Sequence, residues 1–171
     1  MKCQRVLSLL LLVMIIGVTC AEASELLYET ESDRLQEDIV LNDFVIAIDN
    51  SWVIEDTDPG DETILVSAIT IDNELSLMVF LAGEGNDESV AQTAAINEYS
   101  SGIKRAGSEI VNGISAIYAE NQATGTVCAY FSVNGHVYTI SITSRTGNTQ
   151  TDEMMMNLKD LMKTVTQRVE Q

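Results

Sequence analysis

The chain has 171 residues, with 26 Asp and Glu against 9 Lys and Arg, and its formal charge near neutrality is −17. Such an acidic balance disfavours nucleic acid and anionic lipid surfaces as partners. The single histidine, His136, and the one cysteine beyond the amino-terminal segment, Cys128, fall short of the usual zinc ligand set, and no cofactor fingerprint is present, so neither a metal nor a cofactor is expected.

The chain opens on Met1-Lys2-Cys3-Gln4-Arg5, an apolar run from Val6 to Thr19, and Ala21-Glu22-Ala23. A positive start, a short apolar stretch and a small-x-small site predict a secretory signal peptide over residues 1–23. Gly17-Val18-Thr19-Cys20 offers a second reading, lipidation at Cys20. Thr19 and Gly17 stand where a lipoprotein signal usually carries a small residue and a leucine, and the Ala21-x-Ala23 site is the better formed. The expected location is extracytoplasmic, secreted or periplasmic, with a lipid anchor at Cys20 as the alternative and the only route to a membrane. Cys3 leaves with the signal, which makes Cys128 the single cysteine of the folded region. No disulfide framework exists, and Cys128 reads as a buried apolar side chain.

What remains suffices for one domain and not for two. Residues 24–38 are acidic without a sustained apolar period and read as a linker; residues 39–171 read as a single α+β domain. A strand is predicted over Asp43–Asp49, with Phe44, Ile46 and Ile48 on one face. Trp52, just after it, reads as a core plug. The acidic turn from Glu55 to Glu62 gathers the oxygen ligands that calcium needs. It departs from the EF-hand loop, because Gly60 and Asp61 stand in an acidic position and the glycine position respectively, and it reads as a solvated Pro-Gly turn, with weak calcium binding as the alternative.

Residues 62–71 and 74–81 flank Asp72-Asn73, a dipeptide suited to a tight hairpin. Pairing Ile71 with Glu74 sets Ala68 against Leu77, Ser67 against Met78, Val66 against Val79, Leu65 against Phe80 and Ile64 against Leu81. Both faces of that hairpin are mainly apolar, which predicts a sheet covered on both sides.

Two helices are available as covers. Over Asp87–Ala106, Ala91, Ala95, Tyr99, Gly102, Ile103 and Ala106 share one side, with Thr93, Asn97, Ser101 and Lys104 opposite. From Thr151 to Val169, Met154, Met155, Leu158, Leu161, Met162, Val165 and Val169 form a larger stripe, and Thr149 and Asp152 have capping-box spacing. Between the helices lies a meander of strands over 109–111, 114–119, 126–133 and 136–143, turning at Asn112-Gly113 and Asn134-Gly135. In its last hairpin Val133, Phe131, Ala129 and Val127 oppose His136, Tyr138, Ile140 and Ile142. The other face carries Thr126, Cys128, Tyr130, Ser132, Thr139, Ser141 and Thr143 and reads as a solvated sheet surface or, alternatively, a polar binding surface.

No catalytic constellation emerges. His136 is the only candidate base, yet it flanks a turn and no Gly-x-Ser-x-Gly elbow is present. Gly83-Glu-Gly85 precedes a helix without the lysine of a phosphate loop or the third glycine of a dinucleotide fingerprint, and Glu84, Asp87 and Glu88 repel phosphate.

The order of elements, with Trp52 after the first strand, Asn112-Gly113-Ile-x-Ala116, Tyr138-x-Ile140-x-Ile142 and a closing amphipathic helix, resembles the PsbP-like family, which includes DcrB-type bacterial envelope lipoproteins. Asp49-Asn50-Ser51-Trp52 lacks the proline that many relatives carry there. The resemblance covers residues 40–170 and implies an α/β/α sandwich around an antiparallel sheet, with roles in binding or assembly rather than catalysis. It carries over no functional residue. The expectation is an exported noncatalytic binding or assembly-accessory domain whose partner is another protein of the envelope or exterior. An extracytoplasmic hydrolase using His136 or an acidic pair is the alternative.

Overall fold

The computed structural model describes residues 36–56, 63–147 and 150–169. The expected signal peptide with Cys20, the expected linker up to Leu35, the acidic turn from Thr57 to Glu62 and Thr149 lie outside them. In chain order the elements are β1 (Gln36–Val40), β2 (Phe44–Asp49), β3 (Trp52–Asp56), β4 (Ile64–Thr70), β5 (Leu75–Glu84), α1 (Asp87–Ser101), β6 (Lys104–Val111), β7 (Ile114–Asn121), β8 (Thr126–Val133), β9 (His136–Ser144), α2 (Thr151–Thr164) and β10 (Thr166–Gln167). A seven-stranded sheet runs β3-β4-β5-β9-β8-β7-β6, and a small sheet runs β1-β2-β10. All pairings are antiparallel, so the α+β class read from the sequence is the one observed.

Alternation dictates where the core lies. On one face of the large sheet Val66, Leu77, Val79, Phe131, Ile140 and Ile142 are fully buried. They meet Phe44, Ile46 and Ile48 of β2 and Met154, Leu158 and Met162 of α2 in a single apolar cluster. Phe44 sets its ring edge-on to Phe131 and to Tyr138, with centroids 5.4 and 4.9 Å apart, a preferred aromatic geometry. A second, smaller core lies on the opposite face, where Val90 of α1 covers Ile117, Ala119, Cys128, Tyr130 and Val137. Trp52 is half-buried against the main core, as expected of a plug, and it opens β3, an edge strand that the sequence reading did not separate out.

Asn-Gly turns set the register of the later hairpins. Asn112 and Asn134 both have φ 51°, and Gly113 and Gly135 follow at 81° and 83°, the pair of positive angles such two-residue turns require. The pairs Val133–His136, Phe131–Tyr138, Ala129–Ile140 and Val127–Ile142 form as read. In the β4–β5 hairpin Ala68–Leu77, Ser67–Met78 and Val66–Val79 also form, but a bulge between Ile64 and Val66 brings Ile64 opposite Phe80 rather than Leu81. One extra residue accommodated in β4 causes the difference.

Four other expectations are corrected. Helix α1 stops at Ser101, because Gly102 takes the left-handed conformation at φ 66° and ends the hydrogen-bonded ladder; Lys104–Val111 then forms β6. The face α1 turns to the sheet is also different. Tyr99 is 95% exposed and Ala91 and Ala95 are exposed, whereas Val90, Ala94 and Asn97 face inward. An alanine stripe offers little apolar area to bury, so one valine and a hydrogen bond from Asn97 to the Tyr130 hydroxyl at 3.2 Å decide the orientation. Helix α2 ends at Thr164, with Val165 as its last buried residue, and Val169 is 85% exposed. Finally, Gln36–Asp38, read as the end of the linker, pair with Asp49, Ile48 and Ala47 in β1.

Candidate functional site

Two features of the described residues lie outside ordinary core packing. The first surrounds the lone histidine. His136 begins β9 at the Asn134-Gly135 turn, opposite Val133 on one side and Glu84 on the other. Its Nδ1–H donates to the Asp43 carboxylate at 2.7 Å. The Tyr138 hydroxyl, two residues along the same face, donates to the same oxygen in a short hydrogen bond, and Asn134 Nδ2 approaches the other oxygen at 3.5 Å. Asp43 is buried. Burial alone raises a carboxyl pKa, but the bonds from Tyr138, His136 and Asn134 outweigh it and hold Asp43 below its ordinary value. Burial and the neighbouring Asp43 charge push the Tyr138 phenol upward.

This cluster also ties down the end of the chain. The Arg168 N–H donates to the Asp43 carbonyl at 2.9 Å, and its guanidinium Nη1 donates to the Leu41 carbonyl at 2.8 Å. Asn134 Nδ2 donates to the Arg168 carbonyl at 3.2 Å. Chemically, then, the cluster is a hydrogen-bonded clasp, centred on the Asp43 carboxylate, between the two sheets and the C-terminal strand. His136 is paired with a carboxylate, as the histidine of a Ser-His-Asp triad is, but among the described residues no hydroxyl or thiol bonds the ring. The serine hydroxyl closest in sequence, Ser132 Oγ, donates instead to Asp87 at 2.8 Å.

The second feature is an incompletely covered sheet face. Helix α1 packs on β6, β7, β8 and β9. Cys128 and Tyr130 are buried beneath it, and Thr139 is buried beside them, so three of the seven residues of the face read from the sequence as solvated are not. Beyond the helix the same face continues across β5, β4 and β3. There Val53 stands opposite Ile69, and Met78 opposite Ser67, with Phe80 one step further along β5. Ile69, Met78 and Phe80 are half-buried and Val53 is 49% exposed, and none of the four belongs to either apolar cluster. Among the described residues, the expectation that both faces of the β4–β5 hairpin are covered therefore holds for one face only. Glu55 lies on this outer face, where its carboxylate accepts a bond from Ser67 Oγ at 3.3 Å.

Cys128 is buried, and its surroundings push the thiol up to about 11, in keeping with a small apolar residue rather than a reactive group. Among the described residues no group of three or more His, Cys, Asp or Glu is arranged to hold a metal ion. Gly83 lies within β5 and Gly85 follows it; Gly85 leads, as read, into the helix through Asn86, whose side chain caps α1 by accepting from the Glu88 and Ser89 amides. Asp43, Asn134, Arg168 and the outer-face residues were not singled out from sequence. Only the two-sided apolarity of the β4–β5 hairpin pointed to any of them.

No family model matches the chain, and no curated protein does. Among solved structures, the solution structure of cyanobacterial PsbP (CyanoP) from Synechocystis sp. PCC 6803 superposes with a TM-score of 0.54 at 8% identity, over 82% of this chain and 96% of that one. The fold is PsbP-like. A protein of Bacteroides thetaiotaomicron also matches, at 12% identity and a TM-score of 0.46, over 74% of this chain and 46% of that chain. The PsbP-like fold accommodates both features described above: the clasp sits where the small sheet meets the β8–β9 turn, and the open face lies along the β3 edge. Among the described residues no helix is long and apolar enough to cross a membrane.

Proposed function

We propose that this chain is an exported, noncatalytic binding or assembly-accessory protein of the PsbP-like family, related to the DcrB-type envelope lipoproteins. It acts outside the cytoplasm, released after cleavage near Ala23 or anchored through Cys20. The observation that carries this reading is the outer face of β3–β5, where Val53, Ile69, Met78 and Phe80 stand apart from both cores. Apolar side chains gathered on a surface are characteristic of an interaction site, and here they alternate with Ser67 and Ser76 across β4 and β5. The test is a native mass spectrum of the protein recovered from its own host. The expected result is a processed N-terminus, at Ser24 or at an acylated Cys20, and a stoichiometric complex with a second protein. A bare monomer under gentle conditions counts against the reading.

The Asp43–His136 pair favours a second reading, an extracytoplasmic hydrolase. A hydrolytic activity abolished by His136→Ala, in a variant that still folds, supports it; full retention of biological function in that variant removes it.

A further inference from the structure

We infer that the outer face of β3–β5 binds a protein partner whose contact surface is apolar at the centre and basic around it. This rests on reading the domain as a binding module and specifies the chemistry of what it binds. The sequence carries no Lys or Arg between Arg34 and Lys104, a span that supplies β1 to β5 and α1, while Asp and Glu recur throughout it. The open face is built from that span. Glu55 lies on it, bonded to Ser67, and no basic side chain of the described residues pairs with its carboxylate. Lys104 and Arg105 lie on β6, at the far edge of the seven-stranded sheet from β3.

An acidic partner is repelled by such a frame, and a purely apolar one leaves Glu55 desolvated without compensation. A partner with Lys or Arg around an apolar centre satisfies both requirements: it buries Ile69, Met78 and Phe80 and neutralises the rim. Because rim charges act through long-range attraction, the association weakens with salt.

The test places a photo-crosslinking benzoylphenylalanine at Met78 or Phe80 in the full chain, produced in its own host, with the same probe at Tyr99 on α1 as control. The expected result is one heterologous adduct at positions 78 and 80, its linked peptide carrying Lys or Arg beside apolar residues. The adduct should fall about fivefold with Glu55→Lys, the scale of a rim-charge effect. A linked peptide that is acidic, a crosslink to a second copy of this chain, or indifference to Glu55→Lys overturns the inference. Adducts at Tyr99 alone also overturn it but leave the binding reading standing on another surface. No adduct at any position, with the melting temperature of each variant unchanged, removes both.

Discussion

The Asp43 carboxylate and the His136 ring meet at 2.7 Å across 93 positions of the chain. Asp43 lies just before β2 of the small sheet and His136 at the start of β9 in the large one, so the contact joins the two sheets. The Asp43 carbonyl meanwhile accepts the Arg168 N–H, which brings a third part of the chain to the same residue. Tyr138 closes the arrangement from below, with its ring against Phe44.

Removal of that carboxylate leaves the buried Tyr138 hydroxyl without its acceptor. Asp43→Ala is expected to cost about 2–4 kcal/mol, since it removes a charged acceptor from a buried donor. Urea denaturation at neutral pH measures the loss, and a cost below about 0.5 kcal/mol contradicts the clasp.

The same group predicts an acid-dependent contribution. The folded-state pKa of Asp43 lies below its ordinary value of 3.8. The folded protein therefore favours the ionised form, and the stabilisation is present above the unfolded pKa and lost as pH falls through the folded one. The difference in urea midpoint between the parent protein and Asp43→Asn should be constant near neutrality and should narrow below about pH 4. A difference that grows on acidification reverses the assigned sign.

Asn112 and Asn134 each serve twice, as turn residues with positive φ and as clips on the C-terminal segment. Asn112 Nδ2 donates to the Lys163 carbonyl at 2.7 Å and to the Val165 carbonyl at 2.9 Å. Glycine keeps the turn geometry and deletes the clip, so Asn112→Gly isolates the side-chain bonds at an expected cost of about 1–2 kcal/mol. Hydrogen exchange at Thr166 and Gln167 should accelerate in this variant while β8 stays protected. Equal acceleration throughout would point to a general loss of stability instead.

Tyr118 presents the opposite case. Its hydroxyl is buried without a hydrogen-bond partner among the described residues, and burial, with the Glu109 charge, pushes the phenol up to about 12. Lys159 Nζ lies 5.2 Å from the ring centroid, a contact that phenylalanine retains. Tyr118→Phe should leave stability unchanged or raise it by up to about 1 kcal/mol. A clear drop in melting temperature rules this out.

The two helices differ in what their exposed and buried positions carry. Leu158→Ala, within the main core, should cost about 3 kcal/mol through lost burial and a residual cavity. Tyr99→Ala, at 95% exposure, should fall within about 0.5 kcal/mol of zero. The Tyr99→Ala melting curve tests the orientation of α1, because an inward-facing tyrosine would cost about 3 kcal/mol on truncation, and Leu158→Ala supplies the buried reference on α2.

Legibility in the sequence followed the range of the forces involved. The pairing of Val133 with His136 could be read because the Asn134-Gly135 turn sets it locally, and β2 could be read because Phe44, Ile46 and Ile48 alternate. In β4 the same logic slipped by one residue, since nothing local marks the bulge between Ile64 and Val66. Helix α1 was misoriented because alanines and a tyrosine outnumber the single valine that packs. Strands β1 and β10 are short and mostly exposed, so they carry no apolar period; their pairing with β2 is imposed from elsewhere in the fold. The clasp at Asp43 had no sequence pattern at all, because its members are scattered from Leu41 to Arg168. The open face was half legible, in that two apolar sides of one hairpin called for a cover that α1 supplies only over the neighbouring strands.

Strand β2 is flanked on one edge by β1, almost adjacent to it in sequence, and on the other by β10, which pairs through Thr166 and Gln167. During synthesis from the amino end, that second edge has no mate until Thr166 and Gln167 have been made, an interval on the order of ten seconds at ordinary elongation rates. Through that interval Phe44, Ile46 and Ile48 lack α2 as well. The nascent polypeptide thus cannot close its main core early, and its apolar β2 face stays open to a chaperone for most of that time.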